Sequence, residues 1–211
     1  MAIIVLGMIS LFVGTELVDE GTRTFIAGEN GPIETASAIG YMAVLIIMLV
    51  QGGWGYLKSH AYIFALVAAL GLRELDFDKR FTKMGILKSK FYVSPEVPYT
   101  EKIIGFLVIL ILLYCVILLL RRHLRSFLAR CLKEVVPMSA GISLFFIILS
   151  KSIDGLSRKL GSLGINISHR ISASAESIEE IVELGIPLML LVSAIAFFNS
   201  TNKSTQYDER V

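Results

Sequence analysis

Carboxylates set the chemistry to look for in this chain. Glu29 and Glu34 bracket the turn in "GENGPIE", Glu74 and Asp76 close an apolar stretch in "LRELD", and Asp154 follows Lys151 in "SKSID". Glu176, Glu180 and Glu183 recur at i, i+4 and i+7 in "AESIEEIVELGIP", a spacing that puts all three on one stripe of a helix. Glu183 falls inside an apolar run, where an ionisable group is costly and marks a functional position with a partner close by. Hard oxygen donors of this kind suit calcium, magnesium or manganese, and a histidine such as His169 added to them admits zinc or iron. The predicted metal-ligating set is therefore Glu29, Glu34, Glu74, Asp154, His169, Glu180 and Glu183. A cation held there would activate water against an amphiphilic substrate. Arg73, Lys151 and Arg158 are the cations placed to pair with these acids, Asp76 stands two residues beyond Glu74, and Lys151 and Asp154 are at the i, i+3 spacing of a helical ion pair. The plainer interpretation of the same residues is structural: solvated interface charges and ion pairs at helix ends.

The elements that must position these residues are membrane helices. Of the 211 residues 55% are hydrophobic, and the mean hydropathy is +0.71. Crossing the hydrocarbon core takes about 20 mostly apolar residues. Six stretches qualify: 2–18, 33–50, 56–72, 103–120, 135–150 and 181–198. They are too long and too continuously apolar for barrel strands, and lipid forces a backbone to satisfy itself, so the expected fold is all-α, one polytopic helix bundle over 1–211. The first stretch lacks a basic leader and a small-residue cleavage pattern and is read as a retained helix. Pro32 and Pro137 suit first helical turns, whereas Pro187 falls inside the sixth stretch and should kink it.

Loops 73–102 and 151–180 are expected to carry short interfacial helices, from the spacing of Phe77, Phe81 and Met84 in one and of Leu156, Leu160 and Leu163 in the other. With six alternating spans these loops share a face, and that face collects nearly all the acids. The opposite face keeps Glu134, Asp208 and Glu209, together with the basic stretch "RRHLRSFLARCLKE". Such a dense basic stretch beside a span argues for the cytoplasmic side, which puts both termini there and makes a bacterial inner membrane the expected location. His60 and His123 fall on this basic face, away from His169, so no histidine triad for zinc assembles on one side. They are expected as interfacial residues near lipid headgroups. Gly52-Gly53 followed by Trp54 reads as a turn with an aromatic anchor.

The net charge of +2, with basic residues interleaved among acids, argues against a nucleic-acid partner. Cys115 and Cys131 have neither disulfide-framework nor metal-knuckle spacing. Nucleophile-elbow, zincin, phosphate-loop and dinucleotide motifs do not occur.

The stretch "GENGPIETASAIGYM", from Glu29 to Met42 in its core, resembles the segment that opens the alkaline ceramidase-like (CREST) membrane hydrolases. The resemblance implies a calcium site with acidic ligands at Glu29, Asn30 and Glu34, and lipid hydrolysis. The serine, histidine and aspartate constellation of that family has no counterpart here, and Glu180 and Glu183 occupy the last span instead. Three functions follow as expectations: a metal-assisted hydrolase or transferase acting on membrane lipid, a transporter or channel with an acidic mouth, or an accessory subunit of a homo-oligomer or larger membrane complex.

Overall fold

The apolar runs form helices, and no strand occurs among the described residues. In this computed structural model the described residues are 1–28, 31–77, 82, 84–162, 164–165 and 167–208, with side chains described for all of these except 162 and 202–208. The helices are α1 (Ala2–Leu17), α2 (Glu20–Ala27), α3 (Pro32–Ser59), α4 (Ala61–Glu74), α5 (Ser89–Val93), α6 (Tyr99–Arg130), α7 (Val135–Ile153), α8 (Leu156–Ser162) and α9 (His169–Asp208). Four stretches, within α3, α6, α7 and α9, are long and apolar enough to cross a membrane, and α1 is apolar over its 16 residues. The all-α membrane-type architecture is the one expected, with α1 and the 14-residue α4 as the shortest of the six anticipated segments.

Three boundaries differ from the sequence-based expectation. The stretch 56–72 is not one helix: Tyr56 to Ser59 end α3, and His60 (φ −121°, ψ 25°) separates them from α4. Gly53, at φ 65° and ψ −176°, interrupts α3 just before Trp54, a conformation glycine adopts without a Cβ clash. The basic stretch after the fourth span is helix rather than loop, since α6 continues to Arg130 with no glycine or proline to stop it. The fifth span does not run on into its amphipathic extension: Asp154 caps α7, Gly155 turns the chain at φ 61°, and Leu156 and Leu160 then lie on the separate helix α8. Phe81 and Leu163 lie outside the described residues. Pro32 is the first residue of α3 and Pro137 the third of α7, as anticipated, and α9 runs through Pro187.

The chain packs as two compact units, residues 1–44 with 130–211 and residues 45–129. In the first, α7 and α9 pack antiparallel along a seam of small and hydroxyl side chains, which is how helices approach closely when lipid offers no hydrophobic drive. Ser193 Oγ donates to Val136 O at 3.1 Å at one end of the seam. Ser143 Oγ lies 3.1 Å from Ser139 O and 3.2 Å from Ile186 O, the carbonyl just before Pro187. Gly185 completes the contact: a Cβ there would come within 2.8 Å of the Met8 methyl and the Phe146 ring, so glycine lets α1, α7 and α9 meet. Gly40 plays the same part for α3, lying against the Pro187 ring. The end of α1 is closed by Arg23 of α2, whose Nε donates to Thr15 O at 3.0 Å and whose Nη2 reaches Glu16 O and Oε2. A guanidinium on the last carbonyls of a helix satisfies acceptors that have no intrahelical donor.

In the second unit α5 seats on α6 at Gly105, where the Phe91 ring and the Tyr92 hydroxyl leave little space for a side chain. Phe91 is fully buried and meets Tyr92 edge-on. The turn between α3 and α4 lies against α6 near Arg122 and His123.

Candidate functional site

The acidic stripe of α9 forms as its spacing requires and is graded in depth. Glu176 is exposed, Glu180 half-buried and Glu183 buried, as expected for side chains on one helical face passing from solvent into a packed seam. Across the seam Ser150, 1% exposed, donates its hydroxyl to Glu183 Oε1 at 2.5 Å, and Glu183 itself is 6% exposed. Ser150 stands three residues before the end of α7, about 4.5 Å along the axis, so the carboxyl lies near one end of the α7–α9 seam, on the side where Glu180 and Glu176 lead outward. Pro187 has no N–H for the carbonyl four residues before it, which is that of Glu183. Ser177 is buried nearly two turns outward from Glu183 and donates to Ala173 O.

Asp154 and His169 of the predicted ligand set are engaged by partners of their own. Among the described residues no three His, Cys, Asp or Glu side chains come together in a way that would hold a metal ion. Asp154 accepts from Lys151 Nζ at 2.8 Å, realising the i, i+3 pair, and Lys159 Nζ donates to Lys151 O and Ser152 O. These charges cap the end of α7. The hydrogen bond from Lys151, helped by the charges of Lys151, Lys159 and Arg158 against the effect of burial, holds the Asp154 carboxyl below its ordinary range. Arg158 is exposed and lies against Gly155. His169, at the start of α9, is 3.0 Å from Glu20 through Nδ1, and both side chains are largely exposed. Glu34 lies half-buried in the first turn of α3, where the helix dipole favours a carboxylate. Glu29 and Asn30, the remaining calcium ligands implied by the hydrolase resemblance, lie outside the described residues. Glu74 is buried in the second unit, 3.9 Å from Arg73, and Asp76 follows it at φ 47°.

A second constellation, not anticipated as a site, lies within the second unit. Tyr62 of α4 and His123 of α6 share a hydrogen bond of 2.6 Å between the phenol oxygen and Nε2. The Arg122 guanidinium stacks over the Tyr62 ring at 5.2 Å and donates through Nη1 to Ser59 O at 3.2 Å. His60 stacks on Tyr56 with centroids 4.2 Å apart, and its Nδ1 is 2.9 Å from Ser59 Oγ. The His60 and His123 rings are 6.5 Å apart. Lys58 stands over the ring of Trp54 at 5.9 Å. The signal for this cluster was present in the sequence: "KSHAY" opens one apolar stretch and "RRH" closes the next, so alternating spans bring them to one face. Searches of family models, of curated proteins and of solved structures found no match to this chain.

Proposed function

We propose that this chain is an integral membrane protein of the transporter or channel class, in which Glu183 takes up a proton or a small cation at the inner end of the stripe Glu176, Glu180 and Glu183. The observation that carries the proposal is the buried hydrogen bond from Ser150 Oγ to Glu183 Oε1. Three buried serines, Ser139, Ser143 and Ser177, already give the α7–α9 region polar contacts through backbone carbonyls, so packing alone does not call for a carboxyl there. Buried carboxyls in membrane helices carry ions or protons more often than they serve as glue. A divalent cation would draw on Glu180 with Glu183, whereas hydrolysis of a lipid on a multi-ligand metal centre has no converging ligand set among the described residues to support it.

Infrared difference spectra of the purified protein across a pH titration test this directly. A protonated-carboxyl band that vanishes in Glu183→Gln supports the proposal. No such band, with Glu183→Gln melting like the parent at every pH, reduces Glu183 to a packing residue. Elemental analysis of both proteins adds the metal arm: stoichiometric metal lost in the variant moves the reading to a divalent cation.

An accessory-subunit reading is favoured by one observation, that only 11% of the apolar window of α6 is buried within the chain. Lipid or a neighbouring subunit covers the rest. The mass of the particle extracted in a native nanodisc separates the two.

A further inference from the structure

We propose that the cluster of Ser59, His60, Tyr62, Arg122 and His123, with Lys58, Arg121 and Arg125 around it, binds the phosphate of an anionic phospholipid at one membrane boundary.

Position comes first. Helix α6 has 32 residues, about 48 Å, while its uninterrupted apolar run 103–120 accounts for about 27 Å, close to the thickness of a hydrocarbon core. Arg121 and Arg122 follow directly, so they fall at headgroup level. Trp54, 68% exposed beside Lys58, is the kind of ring that collects at that level. Charge comes second. Neither 51–62 nor 121–130 contains an Asp or Glu. Lys58, Arg121, Arg122 and Arg125 are all exposed, and none makes an ion pair among the described residues. Preorganisation comes third. Arg122 is held by the Tyr62 ring and the Ser59 carbonyl, which fixes one edge of its planar fork and leaves the other side exposed, the geometry with which guanidinium takes phosphate oxygens. Tyr62 in turn is held by His123, so its role is to position Arg122 rather than to touch the phosphate. A zwitterionic headgroup also carries a phosphate, but its quaternary amine meets the same uncompensated positive charges. The patch therefore selects a net negative headgroup.

The test uses the full chain in detergent with equimolar phosphatidylglycerol and phosphatidylcholine, reading the retained lipid by native mass spectrometry. Phosphatidylglycerol is expected in excess, with the preference falling roughly five-fold for each basic side chain removed in Arg121→Gln, Arg122→Gln and Arg125→Gln. Arg170→Gln, an exposed change in the other unit, should leave it intact. If Arg122→Gln fails to fold, the Arg121→Gln/Arg125→Gln pair carries the test, because those exposed side chains make no hydrogen bond to the protein among the described residues. Equal retention of the two lipids by the parent, or a preference unchanged in the folded arginine variants, overturns the proposal. Displacement of the lipid by inorganic phosphate at matched concentration also overturns it and assigns the patch to a soluble phosphate.

Discussion

The first unit and the Tyr62 cluster of the second handle charge in opposite ways. In the first, basic and acidic side chains close on each other or on helix ends: Arg23 on Glu16 and the α1 carbonyls, Lys151 on Asp154, His169 on Glu20, and Ser150 on Glu183. In the second, the cations around Tyr62 are held in place by an aromatic ring and a backbone carbonyl, with no carboxylate in the segments that carry them. Charge satisfied inside the fold contributes to stability. Charge that is oriented but left uncompensated is poised for something outside the chain.

Substitutions can break that contrast. The largest loss is expected from Gly185→Leu, which forces a side chain into the Met8 and Phe146 contact and should cost about 3 kcal/mol in detergent unfolding; a melting temperature equal to the parent's would mean the three helices do not meet as described. Arg23→Ala should cost about 2 kcal/mol, because it uncaps α1 and leaves the half-buried Glu16 carboxylate without its cation. Ser150→Ala should cost about 1–2 kcal/mol and couple to Glu183→Gln in a double-mutant cycle; additive effects would place the two side chains in separate environments. By contrast Arg121→Gln and Arg125→Gln should move stability by less than about 0.5 kcal/mol while changing lipid retention, since both residues are exposed.

The smallest effect separates the helix-end charges from the buried carboxyl. The Asp154 carboxyl titrates lower in the folded chain than its ordinary 3.8, so the folded state binds fewer protons there than the unfolded state. Its contribution is complete above that value and lost as pH falls through the lowered one. Acid melts of Lys151→Met should show less of this loss at the low end of the curve, because the hydrogen bond from Lys151 is its largest cause; an identical acid limb in parent and variant would remove Asp154 from the account.

The helical bundle was legible in the sequence because long apolar runs leave lipid-embedded backbone few alternatives, and the stripe Glu176, Glu180 and Glu183 followed from spacing alone. Glu183 was identified as the costly residue, but its partner was sought among cations. Ser150 supplies a hydrogen bond to it that a search restricted to charged residues passes over, as it does the bond from Ser143 to the same helix. His169 and Asp154 were grouped with Glu183 because they share a face, yet sharing a face does not bring side chains together: each is held by its own local partner. The Tyr62 cluster escaped for the converse reason. It depends on a break at Ser59 and His60 that turns two half-helices toward α6, and no apolar count registers that turn.

The anchors of α6 also fix a length. Lys102 stands over Tyr99 at one end of its apolar run and Arg121 with Arg122 closes the other, so about 27 Å of helix separates two charged collars. A collar of this kind resists being drawn into hydrocarbon, and the helix therefore acts as a ruler. In a bilayer thicker than the ruler, the membrane must thin around the protein or the protein must leave for a thinner region, so bilayer thickness becomes a variable that decides where this chain resides.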